Sequence, residues 1–402
     1  MTELFLYDDA KAREFAPFAL TRPVSELRAG AEIIRARWER VAGTRARAFI
    51  GARHLSSFDE DGAPEALTDE TELPAGSIVV NSRCVVALDS SLDSSAVAFT
   101  CGDRVCAVRL SQPLRVKDFR DGALGLDALA SGQSAVEVDG RWLDEVWSLV
   151  GDLAVQLNDD IGALVRSLDV QSPSGSTISG NHGVYCEAGV KVDPFVVFDA
   201  TDGPILIRSG ATVAPFARIV GPTYIGKQSI VAGDEIRGCS IGDVCKVRGE
   251  ISGSVMLGHS NKSHTGFVGS SYLGRWVNLG AGTTTSNLKN TYGQIQLWTP
   301  SGNRDTELQF LGSLMGDHVK TGIGTMLTTG CVVGAGANIY GSRVTPKYIP
   351  PFAWGECEPY ERFAVEKFTE VAEKVMARRH VALSEKARTQ LVNSHASSEA
   401  SA

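Results

Sequence analysis

The chain has 402 residues, enough for two or three domains, and combines 43% hydrophobic and 21% charged residues with a formal net charge of −8. A negatively charged chain without a basic patch of interleaved aromatic residues is not expected to bind nucleic acid or an anionic membrane. No stretch approaches the roughly 20 apolar residues of a membrane span, and the first ten residues lack the basic and apolar segments of a signal peptide. We therefore expect a cytoplasmic protein.

The eight cysteines are scattered along the chain, and none forms a CxxC pair. Their spacing suits neither a zinc site nor a small disulfide-bonded scaffold. Unpaired cysteines in a large chain are typical of a reducing compartment. The sequence therefore predicts no metal site that is built from cysteines.

Residues 1–170 are predicted to form an α/β domain. Short apolar runs at 4–7, 46–50 and 77–80 are typical of buried strands, and the segment 29–41 has apolar side chains at helical spacing. The Ser- and Gly-rich segment 171–183 (QSPSGSTISGNHG) is predicted to be the linker that follows this domain.

From residue 184 the apolar pattern changes to a period of six. The runs are Val184, Val190 and Val196; Ile207, Val213, Ile219, Ile225 and Val231; Ile241 and Val247; Leu273 and Leu279; and Met315, Thr321, Leu327, Val333 and Ile339. An α-helix repeats every 3.6 residues and a strand every two, so neither explains this period. Six-residue repeats are the signature of a β-helix, in which each repeat forms one flat side with one inward aliphatic side chain. Residues 184–357 are therefore predicted to form a left-handed parallel β-helix of hexapeptide repeats.

The exposed end of a stack of coils must be covered by another element. Residues 358–392 are predicted to form a C-terminal helix that provides this cover, with Phe363, Phe368, Val371 and Val375 as its apolar residues. The polar segment 393–402 is predicted to be a disordered tail.

The repeat is interrupted between residues 261 and 290 by a polar segment that carries the candidate chemistry. A histidine with a pKa near neutrality, such as His264, is suited to act as a general base. The backbone amides of 280–282 (GAG) are candidates for binding an anion or an oxyanion.

This segment resembles the acetyltransferase half of the bifunctional UDP-N-acetylglucosamine pyrophosphorylase/glucosamine-1-phosphate N-acetyltransferase family. The family pattern is K-A-G-H-L-x-Y-L-G followed by N-I-G-A-G-T-x-T-x-N, and this chain reads KSHTGFVG at 262–269 and NLGAGTTTSN at 278–287. The resemblance implies that His264 is the general base of acetyl transfer and that Asn278 and Asn287 bind acetyl-CoA. It also implies a homotrimer in which neighbouring subunits share each site.

The residues that would bind the sugar phosphate depart from the family pattern. The motif APFAR, which ends at Arg218, resembles the family's G-P-F-A-R, so Arg218 is implied to contact the sugar phosphate. The family's second arginine is replaced by Val220, and its later lysine by Ser252. Arg248 and Lys262 are the cations expected to replace them, and the acceptor is expected to be an amino-sugar phosphate.

The start of the chain resembles sugar-phosphate nucleotidyltransferases, which begin G-x-G-T-R-x-x-P-L-T. Here residues 8–13 read DDAKAR, so two aspartates replace the glycine loop. The resemblance implies that Arg13, Thr21 and Arg22 bind UTP or another nucleoside triphosphate, and nucleotidyl transfer would require Mg²⁺. The later motifs resemble an alternative bacterial subgroup of the family, GlmU-like with a shortened N-terminal domain. Whether this domain still transfers a nucleotidyl group is left open by the sequence.

Two other functions are compatible with these residues. The missing glycine loop and arginine also suit a non-catalytic homologue that binds a sugar nucleotide without turnover. A zinc-dependent β-helix of the γ-type carbonic anhydrase kind would use His259 and His264, but it needs three protein ligands, and His182 lies too far back in the sequence. The function that we expect is a transferase of UDP-N-acetylglucosamine biosynthesis.

Overall fold

We describe the protein from a computed structural model that covers residues 2–341 and 343–399. The chain folds into two compact units, residues 2–146 together with 383–399, and residues 147–382. The division precedes the predicted linker at 171–183, which lies inside the second unit. No helix within the described residues is long and apolar enough to cross a lipid bilayer.

The first unit is built on a seven-stranded mixed sheet. Its strands, in spatial order, are β12 (Ala135–Glu137), β9 (Ala98–Cys101), β10 (Arg104–Arg109), β7 (Ile78–Asn81), β1 (Leu4–Tyr7), β4 (Ala46–Ile50) and β5 (Glu65–Ala66). Strand β1 runs parallel to both β4 and β7, so the carboxyl ends of these three strands meet at one edge. This edge is where α/β sheets place their ligands.

Shorter elements surround this sheet. Three two-stranded pairs are β2 (Arg28–Ala29) with β3 (Glu32–Ile33), β6 (Glu72–Leu73) with β11 (Leu114–Arg115), and β8 (Cys84–Val86) with β13 (Gly140–Trp142). The helices are α1 (Ala10–Arg13), α2 (Ile34–Ala42) and α3 (Leu126–Ala130), with 3-10 turns at Val24–Glu26, Arg53–Leu55 and Val116–Gly122.

The second unit begins with helices α4 (Ser148–Gly151) and α5 (Leu153–Val165) and continues as a parallel β-helix with three flat faces. Face A contains β14 (Val170–Gln171), β16 (Val184–Glu187), β19 (Ile205–Ile207), β22 (Thr223–Ile225), β25 (Ser240–Ile241), β28 (Val255–Gly258), β31 (Tyr272–Arg275), β36 (Ser313–Met315), β39 (Cys331–Val333) and β41 (Tyr348–Ile349). Face C contains β17 (Lys191–Val192), β20 (Thr212–Val213), β23 (Ile230–Val231), β26 (Lys246–Val247), β29 (Asn261–Lys262), β32 (Asn278–Leu279), β37 (Lys320–Thr321), β40 (Asn338–Ile339), β42 (Ala353–Gly355) and β43 (Glu361–Arg362). Face B contains β15 (Thr177–Gly180), β18 (Val197–Ala200), β21 (Ala217–Val220), β24 (Asp234–Arg237), β27 (Glu250–Ser252), β30 (Phe267–Gly269), and the pair β33 (Thr284–Thr285) and β38 (Met326–Leu327). The chain passes from face A to face C to face B in each coil.

The predicted inward side chains form continuous columns in the middle of this β-helix. On face A, Ile207 pairs with Ile225 and Ile225 with Ile241, and all three are fully buried. The first coil has a different phase, because Cys186 rather than Val184 is in register with Ile207. The coil from Cys186 to Ile207 has three residues more than three full repeats, and its inward residues Cys186 and Phe198 lie two positions after the predicted Val184 and Val196.

The last coils are covered by the predicted C-terminal helix, which is shorter than expected. Helix α6 runs over Val365–Ala377 and buries Phe368, whose ring lies 5.0 Å from that of Phe352. Before these coils the chain leaves the β-helix to form a hairpin of β34 (Gln296–Thr299) and β35 (Gly302–Asp305).

The prediction of a disordered tail at 393–402 was wrong for residues 393–399, and residues 400–402 lie outside the described part of the chain. Helix α7 spans Glu385–Glu399 and packs within the first unit. The amide of Gln390 donates to the carbonyl of Thr21 at 3.1 Å, and the hydroxyl of Ser394 donates to that of Leu20 at 2.7 Å. Buried hydrogen bonds to the carbonyls of Leu20 and Thr21 therefore hold α7 in place. The helix has too few apolar residues for its sequence to indicate this packing.

We expect the docking of α7 to stabilise the first unit. Leu391 is buried in α7 and its neighbour Val392 is 41% exposed. Leu391→Ala should lower the free energy of unfolding of this unit by about 2 kcal/mol, because it removes buried methyl groups, whereas Val392→Ala should change it by less than about 0.5 kcal/mol. Urea unfolding of the two variants checks this, and equal effects would contradict a docked helix.

Candidate functional site

His264 lies at the corner where the chain passes from face C to face B, which we call the C/B corner. Strand β29 ends at Lys262 and β30 begins at Phe267, so residues 263–266 form the corner loop. The His264 side chain is exposed, and it makes no hydrogen bond or ion pair with another described residue. Its imidazole is therefore free to meet a molecule from solvent.

Arg248 occupies the same corner one coil below. Its backbone amide donates to the carbonyl of Lys262 at 2.7 Å, which stacks the two corner loops. Its side chain is half exposed and pairs with Asp234 at 3.3 Å. An arginine thus lies close to the His264 loop, and its exposed pairing with Asp234 is weak enough to be exchanged for a ligand anion.

Asn287 lies at the far end of face B, one coil above β30. Its side-chain amide donates to the hydroxyl of Ser270 at 3.3 Å. A Cβ at Gly269 would lie 2.3 Å from the ring of Phe267 and 2.6 Å from the Asn287 amide nitrogen. The side chains of Phe267 and Asn287 therefore fill the space that a side chain at Gly269 would need, so only glycine fits there. Together the two side chains form a patch on the outer surface of face B.

Asn278 lies on face C and belongs to a ladder of asparagines between coils. The amide of Asn261 donates to the side-chain oxygen of Asn278 at 2.8 Å, and the hydroxyl of Ser263 in turn donates to Asn261. This is the ladder arrangement common at β-helix corners. Asn278 therefore lies on a different face from Asn287.

Two of the predicted sugar-phosphate ligands do not lie beside the His264 side chain on the surface of the coils. Lys262 points into the β-helix and its side chain is 1% exposed. Arg218 lies on face B three strands below β30, about 14 Å away at 4.8 Å per strand, and it is bound by Asp199 and Glu235 at 2.6 Å each. The structure leaves Arg248 as the predicted cation beside His264.

The predicted oxyanion donors of the segment 280–282 are also used within the fold. The amide of Gly280 donates to the carbonyl of Thr321 at 3.1 Å, and the amide of Gly282 donates to that of Thr265 at 3.1 Å. These bonds hold successive coils together. The amides of Gly280 and Gly282 are therefore not the anion donors that the sequence suggested.

The two histidines of the zinc alternative lie at different corners. His259 is at the corner between faces A and C, where its Nδ1 lies 2.9 Å from the Arg275 guanidinium and its ring packs 4.3 Å from that of Trp276. The strand β29 separates it from His264. No group of three or more metal-ligating side chains occurs in the described part of the chain.

The edge of the first unit where β1 and β7 end is occupied by an ion pair. Asp9 accepts hydrogen bonds from the Arg83 guanidinium at 2.7 Å, from the Asn81 amide at 2.8 Å and from the Ala12 backbone amide at 2.8 Å. Burial acts to raise the pKa of the Asp9 carboxyl, but the bonds and charge of Arg83 outweigh it, so the pKa is lowered. Asp9 thus stands where the family's glycine loop would receive phosphates.

The residues at this edge do not fit a Mg²⁺ ion. Asp9 is neutralised by Arg83, and the neighbouring Asp8 accepts the amide of Val24 at 3.0 Å. Burial raises the pKa of the Asp8 carboxyl to about 6, because the charged form loses its hydration. Neither carboxylate is therefore free to coordinate a metal.

A cavity of about 420 Å³ lies beside this edge, next to the end of β4. Of the three residues predicted to bind a nucleotide, only Arg13 lines it, together with Lys117, Arg120 and the apolar Phe119. The sequence did not indicate that Lys117 and Arg120 belong to this cavity, because they lie about 100 residues after Arg13 in the chain.

Thr21 and Arg22 are buried in the first unit, away from the cavity lining. The Thr21 hydroxyl donates to the carbonyl of Phe18 at 3.4 Å. Arg22 forms a two-bond ion pair with Glu60, at 2.7 and 3.0 Å. Both side chains serve the packing of this loop, so their predicted contact with a nucleotide is not supported by their position.

The fold and these sites define a class of protein in which a nucleotidyltransferase-like α/β unit is joined to a hexapeptide-repeat β-helix. The family model described as sugar nucleotidyl transferase matches residues 4–167. A bifunctional sugar-1-phosphate nucleotidylyltransferase/acetyltransferase of Sulfurisphaera tokodaii is 33% identical over 95 residues, which are 24% of each chain. A bifunctional protein GlmU of Synechococcus elongatus is 24% identical over 268 residues, 63% of this chain and 50% of the relative. The chain is therefore similar to this group of proteins over part of its length.

The match to each of these relatives is partial. The aligned stretches span between 24% and 50% of the relatives' own length. A solved structure of an Arabidopsis UDP-N-acetylglucosamine acyltransferase covers 52% of this chain and 77% of its own at 14% identity, with a TM-score of 0.26. The β-helix is assigned from its own strand pairing.

Proposed function

We propose that the second unit is an acetyl-CoA-dependent N-acetyltransferase acting on an amino-sugar phosphate, within UDP-N-acetylglucosamine biosynthesis. The observation that carries this proposal is the exposed His264 imidazole, which has no partner within the described residues, beside Arg248 at one corner of the β-helix. The similarity to bifunctional nucleotidylyltransferase/acetyltransferases supports the same reaction class.

In the proposed reaction, His264 takes a proton from the sugar amine as the amine nitrogen attacks the thioester carbonyl. The new C–N bond forms, the C–S bond breaks, and the proton passes from the imidazolium to the leaving CoA thiolate. Asn287 has a second amide hydrogen that is suited to bind acetyl-CoA away from its reacting thioester. Arg248 would bind the phosphate of the acceptor, as guanidinium groups do.

The assay that tests this function is release of free thiol from acetyl-CoA in the presence of glucosamine 1-phosphate. Other amino-sugar phosphates define the acceptor. A protein that releases no thiol with any of them would contradict the proposal. Sedimentation of the intact protein tests the proposed homotrimer, in which a second copy completes each site, and a monomer would count against shared sites.

For the first unit, we infer that nucleotide binding persists without nucleotidyl transfer. The Asp9–Arg83 pair supports this inference, because it fills the edge that would receive the triphosphate and its metal. The cavity beside Arg13 has an apolar wall suited to a base and four cationic side chains suited to phosphate. These outnumber the three carboxylates that also line it, Asp69, Glu70 and Asp121. Incubation with UTP, N-acetylglucosamine 1-phosphate and Mg²⁺ is expected to release no pyrophosphate.

We expect Arg13→Ala to weaken UTP binding about tenfold, since a charge-assisted hydrogen bond is worth about 1.5–3 kcal/mol. Arg13 is the least exposed of the cationic side chains that line the cavity, at 16%. It is also the one that the family resemblance implies to bind a nucleotide. Isothermal titration calorimetry with UTP measures this effect. Arg47→Ala is the control, because Arg47 is 69% exposed and lies outside the cavity lining. Equal affinity of the two variants would remove Arg13 from the site.

A further inference from the structure

Lys262 is a charged residue in the apolar interior of the β-helix. It is in register with Val247 of the coil below, and Leu279 follows in the coil above. Both neighbours are fully buried aliphatic side chains of the face C column, and Lys262 is 1% exposed. A lysine is rarely buried unless its ammonium is bound.

The Lys262 ammonium is bound by two backbone carbonyls at the C/B corner. It donates to the carbonyl of Arg248 at 3.1 Å and, through a short bond, to the carbonyl of His264. The two carbonyls belong to successive coils, so the ammonium ties the His264 loop to the coil below. Burial lowers the pKa of this amine to about 8, and the charge of Asp234 opposes the shift.

Gly249 makes room for this arrangement. A Cβ at Gly249 would lie 2.8 Å from the Lys262 ammonium and 3.0 Å from the carbonyl oxygen of His264. The φ of Gly249 is +93°, which also disfavours any residue with a side chain. The absence of a side chain at Gly249 therefore leaves room in the coil below for both the Lys262 ammonium and the His264 carbonyl.

We propose that Lys262 is a positioning residue for acetyl transfer, whose buried ammonium holds the backbone of His264 so that the imidazole projects from the corner in one direction. This proposal rests on the proposed function of His264. Its physical basis is that a misplacement of about 1 Å in a reacting group costs on the order of 100-fold in rate. Lys262 itself does not touch the substrate, because it is enclosed by the coils.

Lys262→Met is the direct test. Methionine suits the apolar column, so the variant is expected to fold, but it leaves the His264 carbonyl without its donor. We expect kcat for acetyl transfer to fall about tenfold or more and KM for acetyl-CoA to change less than about twofold, because acetyl-CoA contacts are untouched. Hydrogen exchange of residues 263–266 should become faster.

Lys320→Met is the matched control. The Lys320 ammonium also bridges carbonyls of successive coils, those of Trp276 at 2.9 Å and His318 at 3.2 Å, but at the corner between faces A and C. Burial lowers the pKa of this amine as well, to about 7. The control therefore removes a similar buried ammonium away from the His264 loop, and its kcat should stay within about twofold of the parent.

The outcomes separate this inference from the proposed function. If His264→Ala abolishes acetyl transfer and Lys262→Met keeps the kcat and exchange rates of the parent, the positioning role is overturned and the function stands. If His264→Ala is fully active, the function itself fails. Lys262→Gln, which keeps a shorter uncharged donor, is expected to retain more activity than the methionine variant, and no difference between the two would also contradict the role.

Discussion

Replacement of His264 by alanine is expected to lower kcat for acetyl transfer by about 100-fold or more, because general-base catalysis typically contributes a factor of 10² to 10⁴. The measurement is thiol release from acetyl-CoA with the best amino-sugar phosphate acceptor. Because the imidazole is exposed and bonds to no other described residue, its loss should leave the melting temperature unchanged.

His182→Ala is the control for this variant. His182 is also an exposed histidine of the β-helix, at its first coil, where its backbone amide rather than its ring bonds to Ala200. We expect this variant to keep the kcat of the parent. Full activity of His264→Ala, or equal losses in both variants, would remove the imidazole of His264 from the reaction.

Replacement of Asp9 by alanine is expected to lower the free energy of unfolding of the first unit by about 3 kcal/mol. Removing one partner of a buried ion pair leaves the other charge uncompensated, which costs about 3–5 kcal/mol, and this pair is slightly exposed, at 16% for Asp9 and 12% for Arg83. The variant also loses the N-cap of α1, because the Asp9 carboxylate accepts the hydrogen bond from the Ala12 backbone amide. Urea unfolding, with hydrogen exchange of β1 and β7 to identify the unit, measures the loss.

The loss should depend on pH. The folded pKa of Asp9 lies below its ordinary value of 3.8, so its stabilising contribution is complete above about pH 4 and is lost as the pH falls through the folded pKa. The difference between parent and variant should therefore shrink in acid. Arg47→Ala removes an exposed pair with Glu3, 3.7 Å apart, and should cost less than about 1 kcal/mol at every pH. A loss in Asp9→Ala no larger than in this control would show that the edge is not held by the pair.

The same Asp9–Arg83 pair that is expected to stabilise the first unit also occupies the edge where nucleotidyl transfer would take place. Strands β1 and β7 bring Asp9 and Arg83 together, although they are far apart in sequence. The sequence shows that aspartates replace the glycine loop. Only the parallel pairing of β1 with β7 reveals that an arginine neutralises one of them.

The six-residue period by itself determined the β-helix and most of its inward columns, because each flat side needs one aliphatic residue at a constant spacing. Ile207 and Ile225, three repeats apart, lie where this period predicts, whereas Ile241 stacks on Ile225 across a coil that is two residues shorter. Whether the Lys262 side chain points inward was decided by the tertiary structure. Three full repeats would be eighteen residues, but Lys262 pairs with Val247, only fifteen residues earlier, so the coil is shortened. A change in coil length alters which residues face inward, and local spacing does not report it.

The candidate base was likewise found in the sequence, through its motif, whereas its surroundings depend on stacking. Motif spacing identified His264, but only the coil register places Arg248 beside it and Asn278 on another face. The docking of α7 was also decided by the tertiary structure, because its carbonyl partners at Leu20 and Thr21 lie more than 350 residues earlier. The periodic burial of aliphatic side chains can be predicted from local sequence. Polar contacts between distant segments cannot, because they depend on how the chain folds back on itself.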